Sequence, residues 1–296
     1  MKNSIFLTML LIAGCTQLAH HSGDIKQLPQ QKVVRSKKGV VTTAHPLATN
    51  AGIEMLESGG NAMDAAVAAA FTLSVVEPSM GGIGGRAQIL IYTPTNGVHG
   101  IDATTQAPPF YEFDDTLGVE YGYQTIAVPG VVKGLTDGLS DYGSLPLAQV
   151  MTPAIEYAQN GFTLLPGEAL RQESVNEILK EFSGTRQYYL NEDGTAKKPG
   201  DWVIQKDLAK VLKAISKKGA NVFYRGWIAQ AMVQDVQKYG GFLTLESLEN
   251  YQTEKSNIVT GGYRGYGLKS LWLPAYGAIT IEALQILEQL PVNLNE

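Results

Sequence analysis

The sequence has 296 residues, of which 44% are hydrophobic and 17% charged, and its formal net charge is −5. This length and composition are typical of a globular protein with one large or two ordinary domains and a sizeable core. The weakly acidic balance lacks a basic stripe, so nucleic acid is not expected as a partner. Cys15 is the only cysteine, which excludes an internal disulfide and a thiolate zinc site.

The first 14 residues have the pattern of a bacterial lipoprotein signal peptide. Lys2 supplies positive charge, residues 5–13 are apolar, and the segment is too short to span a membrane as a stable helix. Cys15 follows Ala13-Gly14, where a lipid would be attached to the new N-terminus. An ordinary signal peptide with an incidental cysteine is the alternative. The lipoprotein interpretation makes residues 15–38 a polar tether and places the protein on the cell envelope, facing the periplasm or exterior.

A helix stop and an alanine-rich helix follow one another in the next part of the chain. Gly59-Gly60 can close a helix through the left-handed conformation, and Asn61 can cap the next helix. Asp64 falls in the first turn, near unpaired backbone N–H groups. Six alanines between positions 62 and 70 leave this helix thin enough to lie close against a sheet.

A glycine-rich turn follows, because Pro78 ends the helical run and glycines stand at 81, 82, 84 and 85. These glycines are expected to take unusual dihedrals, and residues 88–92 are predicted to be a buried strand. Residues 82–87 formally fit the dinucleotide fingerprint G-x-G-x-x-A, but here a helix precedes and a strand follows, the reverse of that motif. Two interpretations stay open: a structural turn, or a backbone nest that holds a carboxylate.

Three further helices are predicted downstream. Apolar residues at helical spacing cover 147–158, 207–215 and 228–236, with glycine stops after each one. The aromatic residues show no common spacing and are interpreted as packing or rim residues. The four histidines, including His45, lack ligand spacing, so no metal and no cofactor are predicted. No linker interrupts the chain after residue 38, which favours one domain over 39–296.

Several short motifs occur in an order that carries a family resemblance. Besides the glycine turn, they are Val40–Thr49, Ile101-Asp102 with Ala107-Pro108, Val128-Pro129-Gly130, Pro153-Ala154-Ile155, Phe223–Gly226 and Tyr263–Tyr266. From Gly39 to Leu290 the chain resembles the N-terminal, large-subunit portion of a gamma-glutamyltransferase, one of the N-terminal-nucleophile hydrolases. The resemblance implies an α+β fold, a four-layer αββα sandwich that would be incomplete in this chain, with Val40–Thr49 as its opening strand.

The resemblance also implies acyl transfer on gamma-glutamyl compounds such as glutathione. In the family the nucleophile is a threonine that becomes N-terminal when the precursor cleaves itself, and its amine acts as base. No segment here resembles the start of that small subunit, so no catalytic residue is assigned. The nucleophile is expected beyond this chain, on a missing C-terminal small subunit. The chain alone is expected to be inactive, with exposed sheet edges.

Substrate recognition departs from the family pattern. Glutamate-binding relatives carry an arginine and a glutamate before Ala107-Pro108, and the arginine pairs with the substrate's α-carboxylate; here Thr104 and Thr105 stand there. Arg86 replaces a glycine of the family's run and could supply that guanidinium, or be only a structural or surface residue. A second departure covers Leu273–Ala278. Alternatives are therefore an amidohydrolase or acylase for another carboxylated amide, and a non-catalytic envelope binding lipoprotein.

Overall fold

A computed structural model describes residues 33–109, 111 and 120–290. The predicted signal peptide, the predicted lipidation site Cys15 and most of the predicted tether lie outside these residues. The α-helices are α1 Pro46–Glu57, α2 Ala62–Val76, α3 Val131–Tyr142, α4 Leu147–Val150, α5 Thr152–Asn160, α6 Pro166–Ser174, α7 Asn176–Glu181, α8 Ser183–Tyr189, α9 Lys206–Lys218, α10 Asn221–Tyr224, α11 Trp227–Lys238, α12 Leu245–Glu249 and α13 Gly277–Glu288, and Tyr123–Thr125 is a short 3-10 helix. The strands are β1 Ala87–Thr93, β2 Gly97–Ala103, β3 Phe162–Thr163, β4 Trp202–Val203, β5 Glu254–Lys255, β6 Ile258–Tyr263 and β7 Tyr266–Leu271.

The predicted start of α2 is confirmed atom by atom. Gly59 has φ +86°, and the Asn61 side chain accepts from the backbone N–H groups of Met63 and Asp64. The Asp64 carboxylate returns the contact by accepting from the Asn61 N–H at 2.7 Å. This reciprocal capping box fixes where the helix begins.

α2 packs among α1, α3 and α5, and the expectation that its thin alanine face lies on a sheet is wrong. α3 packs on the sheet instead, and its glycines let its backbone come close to the strands. A Cβ on Gly134 would overlap the Cβ of Ala103 in β2. The alanines of α2 therefore serve helix-to-helix packing in the core.

Three small antiparallel sheets are formed by the described residues. β1, β2 and β5 lie side by side, with Ala87 opposite Ala103 and Ile101 opposite Lys255. β6 and β7 form a hairpin on which α13 packs, and β3 pairs with β4. Leu271 of β7 comes so close to Gly100 that no Cβ would fit there. The two larger sheets are thus in direct contact.

Two strand predictions need correction. Val40–Thr49 contains no strand in the structure: α1 begins at Pro46, whose fixed φ suits a first helical position, and His45 caps it by accepting from the Leu47 N–H. The strand predicted over 88–92 exists as β1 but is not buried. Leu90 and Tyr92 are 45% and 72% exposed, because α3 covers one face of the sheet and β7 covers the other face only near Gly100.

The predicted helix over 147–158 is divided into α4 and α5 around Met151. Pro153 has no N–H to donate to the carbonyl of Gln149, so the hydrogen-bond ladder cannot continue. The other helix predictions are confirmed by α9 and α11. Gly161 and Gly219 follow α5 and α9 with φ of +94° and +70°. Among the helices that the structure describes, none has the length and apolar character needed to cross a membrane.

Candidate functional site

The end of the β1–β2 ladder brings two separately predicted segments together. The Gln88 side-chain amide donates to Asp102 Oδ1 at 2.5 Å and to Thr104 Oγ1 at 2.6 Å. Asp102 Oδ1 also accepts from the Thr104 N–H at 2.9 Å. These bonds tie the strand that leaves the glycine turn to the segment with the two threonines. Gln88 was not predicted, and only the strand register reveals its role.

Arg86 lies at the open end of this ladder. It directly precedes β1, and the pairing of Ala87 with Ala103 places it beside Thr104. The preceding residue is anchored, since the Gly85 carbonyl accepts from the N–H groups of Gly130 and Val131 at 2.9 and 3.1 Å. The Arg86 side chain is exposed and makes no hydrogen bond or ion pair within the described part of the chain. The backbone at Arg86 is therefore held in place, and the positive charge of its guanidinium is not neutralised by any described residue.

Thr104 and Thr105 line a cavity of about 230 Å³, whose other lining residues are Asp102, Gln106, Tyr251, Glu254 and Pro274. The Tyr251 hydroxyl donates to the Thr104 carbonyl at 2.8 Å. Burial, with smaller contributions from Asp102 and other carboxylates, raises the pKa of Tyr251 to about 12, so the phenol stays a donor at neutral pH. Pro274 belongs to the second segment that departs from the family pattern. The two departures, 170 positions apart in sequence at Thr104 and Pro274, thus meet at one cavity.

The glycine turn differs from its prediction. None of Gly81, Gly82, Gly84 and Gly85 has a φ in the left-handed region, so the alternating geometry of a backbone nest is absent and that interpretation is wrong. Gly85 N–H donates to the Gly82 carbonyl at 3.0 Å, which closes a simple turn. A Cβ at Gly81, Gly82 or Gly84 would meet nothing within 4 Å. These glycines are therefore not required by an unusual backbone conformation, and the positions where side chains would stand are open space.

A buried carboxylate, Glu168 of α6, holds the segment before the glycine turn. It accepts from the Ser79 N–H at 3.2 Å and the Ser79 hydroxyl at 2.6 Å, and Arg171 pairs with it at 2.9 Å. Gln172 adds a fourth bond at 2.8 Å. The sequence analysis did not find this cluster, because Ser79 and Glu168 lie about 90 residues apart in the chain. The one local signal is the spacing of three residues between Glu168 and Arg171 on the same helix.

The two histidines among the described residues, His45 and His99, lie outside this site. Burial lowers the pKa of His45 to about 4, against a smaller opposing effect of Glu168, so its ring is neutral at pH 7. His99 contacts the Asn96 carbonyl at 2.9 Å on a surface turn. Over residues 33–109, 111 and 120–290, no group of three His, Cys, Asp or Glu residues is arranged to hold a metal ion.

Comparison with solved structures identifies the class. The chain superposes on Helicobacter pylori gamma-glutamyltranspeptidase with a TM-score of 0.83 and 34% identity, covering 89% of this chain and 78% of that one. It also resembles cephalosporin acylase from Bacillus halodurans, with a TM-score of 0.77, 30% identity and coverage of 88% and 52%. The protein therefore has the α+β fold of the N-terminal-nucleophile hydrolases, as the sequence predicted.

Sequence comparison narrows the class further. The family model for gamma-glutamyltranspeptidase matches residues 48–296, and the chain belongs to this family. It is 36% identical to the glutathione hydrolase proenzyme of Bacillus subtilis (strain 168), over 95% of this chain and 50% of that protein. Acylase ACY 1 proenzyme of Pseudomonas sp. (strain V22) is 34% identical, with coverage of 88% and 49%. The chain thus spans about half the length of the curated relatives it matches.

Proposed function

We propose that this chain is the large-subunit portion of an enzyme that hydrolyses or transfers the acyl group of gamma-glutamyl amides such as glutathione. The observation that supports the proposal is the strand register, which sets Arg86 beside Thr104 at the end of the β1–β2 ladder, next to the cavity that Thr104 and Thr105 line. A guanidinium beside two hydroxyl donors suits a substrate carboxylate, because both charge and hydrogen bonds favour the anion.

In this proposal Arg86 takes the place of the arginine that relatives carry where Thr104 stands. Its neighbour Gly85 is fixed by the start of α3, so the guanidinium would bind without reorganising the backbone. Thr104 is held by Gln88 and by Tyr251, which orients its hydroxyl and carbonyl. Thr105 contributes a second hydroxyl to the cavity wall.

The nucleophile belongs, in this proposal, to a C-terminal small subunit that the present chain does not include. Curated relatives are named proenzymes and are about twice as long as the part matched here. An N-terminal threonine would attack the amide carbonyl, its amine would accept the proton, and water or an amine would resolve the acyl-enzyme. We infer that the chain alone binds substrate without turning it over.

A carboxylated amide without an α-ammonium group is the second candidate substrate, as for an acylase. It is favoured by Thr104 and Thr105, which replace the family's Arg-Glu pair, and by the acylase relatives. A non-catalytic binding lipoprotein is a third candidate. It would be favoured by a longer open reading frame for this protein that lacks a threonine-initiated small-subunit segment.

The first test is calorimetric titration of the full chain with gamma-glutamyl methylamide and with glutaryl methylamide, which lacks the ammonium group. Arg86→Ala should weaken binding of both roughly tenfold or more, because a charge-assisted contact contributes about 1.5–3 kcal/mol. Arg86→Lys should retain part of the affinity. Unchanged affinity in Arg86→Ala would remove Arg86 from the site. Preference for the glutaryl probe would support the acylase candidate.

Anchoring through Cys15 stays a separate proposal for the envelope location. Metabolic labelling with a radioactive fatty acid in a bacterial host should label the wild-type protein and not Cys15→Ala. Equal labelling of both would rule out Cys15 as the anchor, and labelling of neither would support an ordinary signal peptide.

A further inference from the structure

The side-chain amide of Gln88 links a carboxylate to a hydroxyl at the end of the β1–β2 ladder. Its Nε2 group donates to Asp102 Oδ1 at 2.5 Å and to Thr104 Oγ1 at 2.6 Å, so both of its hydrogens are engaged. The strand register sets Gln88 directly opposite Asp102. The three side chains therefore form a chain of hydrogen bonds that begins at a carboxylate and ends at the Thr104 hydroxyl.

The carboxylate of Asp102 determines which way the Gln88 amide faces. A carboxylate only accepts hydrogen bonds, so the NH₂ end of the amide must lie against it. A reversed amide would place two acceptor oxygens 2.5 Å apart. This orientation is kept even though Gln88 Oε1 is buried and has no hydrogen-bond partner in the described part of the chain. The amide is therefore held as a donor toward Thr104.

The donating amide fixes the role of the Thr104 hydroxyl. A hydroxyl has one hydrogen to donate, and its lone pairs accept; here one lone pair is taken by Gln88. No residue in the described part of the chain accepts the hydroxyl hydrogen. Thr104 is half-buried and lines the cavity of about 230 Å³. The hydrogen is therefore available to a molecule that enters this cavity.

The backbone of Thr104 is held on both sides of its side chain. Its N–H donates to Asp102 Oδ1 at 2.9 Å, and its carbonyl accepts from the Tyr251 hydroxyl at 2.8 Å. Every other polar atom of Thr104 thus has a partner within the chain. The hydroxyl hydrogen is the one donor of this residue that is left for a ligand.

We propose that Gln88 is a positioning residue, which makes the Thr104 hydroxyl a dedicated hydrogen-bond donor to the carboxylate of the substrate. The inference rests on the proposed function, since it takes the substrate's carboxylate as the acceptor that meets Thr104. It does not depend on Arg86. A ligand group that can only donate, such as an ammonium group, has no partner at this hydroxyl, because the amide of Gln88 keeps the hydrogen directed outward.

The test is a double-mutant cycle on the full chain, with gamma-glutamyl methylamide as the probe and calorimetry as the measurement. Gln88→Met removes the donor at similar side-chain length, and Thr104→Val replaces the hydroxyl by a methyl group. We expect each single change to weaken binding about fivefold or more, because a hydrogen bond to a carboxylate is lost or misdirected. The double variant should bind as Thr104→Val does, since Gln88 acts only through the hydroxyl.

Two further variants separate positioning from a general structural role. Thr104→Ser keeps the hydroxyl and should keep most of the affinity, and Gln88→Met should weaken this variant as it weakens the wild type. Gln230→Met makes the same chemical change at an exposed position of α11 and should leave binding unchanged. Thermal unfolding shows whether each variant is folded.

A donor-only replacement keeps the test decisive if Gln88→Met does not fold. The ammonium group of Gln88→Lys donates to Asp102 and Thr104 and accepts from neither. The proposal predicts that Thr104→Val weakens binding in the Gln88→Lys background as much as in the wild type. Equal affinity of Gln88→Lys with and without Thr104→Val would overturn it.

The outcomes also distinguish this inference from the proposed function. Unchanged affinity in Gln88→Met, or a double variant weakened by the product of the two single losses, would overturn the positioning role; the carboxylate site would stand if Arg86→Ala still weakens binding. If the cycle behaves as expected while Arg86→Ala binds as the wild type does, Gln88 keeps its role and Arg86 leaves the site. A wild-type chain that does not bind the probe would overturn both.

Discussion

Asp64 and Arg86 lie 22 positions apart in the sequence but in opposite surroundings. Asp64 is fully buried and accepts four hydrogen bonds, from the Asn61 N–H, the Ser144 N–H and hydroxyl, and the Leu145 N–H, at 2.6 to 3.0 Å. Arg86 is exposed and has no partner in the described structure. A charge that is fully satisfied within the chain stabilises the fold, whereas a charge left open on a fixed backbone is available to a ligand.

The same contrast extends to the apolar side chains. Phe71 and Val67 of α2 are completely buried, whereas Leu90 and Tyr92 of β1 are largely exposed. The region around α2, called the closed region below, is covered by helices on several sides. The β1–β2 face opposite α3 is covered near Gly100, where Leu271 and Ser256 pack, and is open at Leu90 and Tyr92. Substitutions in the closed region should therefore act on stability, and substitutions on the open side should act on binding.

The largest stability effect is expected for Asp64→Ala. The change leaves up to four donors without their partner, which should lower the free energy of unfolding by about 3 kcal/mol or more. Urea denaturation measures this. Asp141→Ala, an exposed acidic residue, is the control and should stay within about 0.5 kcal/mol of the wild type. A loss below about 1 kcal/mol for Asp64→Ala would contradict the closed-region account.

Glu168→Gln tests the link between the closed region and the glycine turn. The neutral amide loses the ion pair with Arg171 and presents an NH₂ group to donors, so stability should fall by about 2 kcal/mol. Binding of gamma-glutamyl methylamide should also weaken, since Ser79 is released. Glu173→Gln, an exposed carboxylate on the same helix, is the matched control. Unchanged probe affinity in Glu168→Gln would separate this cluster from the site.

Low pH should lower the free energy of unfolding, because it protonates the Asp64 carboxylate in the closed region. Burial by itself would raise the pKa of Asp64, but the hydrogen bonds from Ser144, Leu145 and Asn61 outweigh it and hold the pKa below 3.8. The stabilisation is therefore present above about pH 4 and is lost as the pH falls through the lowered folded value. Denaturation between pH 5 and 2.5 should show a steeper loss for the wild type than for Asp64→Asn. Parallel curves would contradict this assignment.

The smallest effect is expected on the open face of β1. Leu90→Ser should change stability by less than about 0.5 kcal/mol, whereas Ile89→Ser, on the face packed against the core, should cost about 2 kcal/mol. Thermal unfolding of the two variants measures the difference. Equal losses would mean that both faces of the strand are covered in solution.

Local signals in the sequence predicted the closed region well. The cap at Asn61 and the glycine stops at Gly161 and Gly219 depend on neighbouring residues only, and all are confirmed. The strand that the family resemblance implied over Val40–Thr49 is absent, because Pro46 and the His45 cap start a helix within that range. The prediction that residues 88–92 are buried was wrong, because the exposure of a strand face depends on which elements pack against it. The residues of the strand itself do not carry that information.

The candidate site could be predicted only in part. Arg86, Thr104 and Thr105 were found as departures from a family pattern, and the structure places Arg86 and Thr104 side by side through strand register. Gln88, Tyr251 and Glu168 were missed, because their roles arise from contacts between distant segments. Long-range pairing of this kind is not encoded in any local pattern.

Hydrogen–deuterium exchange of the full chain with and without saturating gamma-glutamyl methylamide tests the central claim most directly. The account predicts slower exchange of backbone amides in residues 82–88 and 102–106, unchanged exchange in α2, and no ligand-induced protection in Arg86→Ala. Protection confined to other segments, or the same protection in Arg86→Ala as in the wild type, would contradict the assignment of the open end of the β1–β2 ladder as the substrate site.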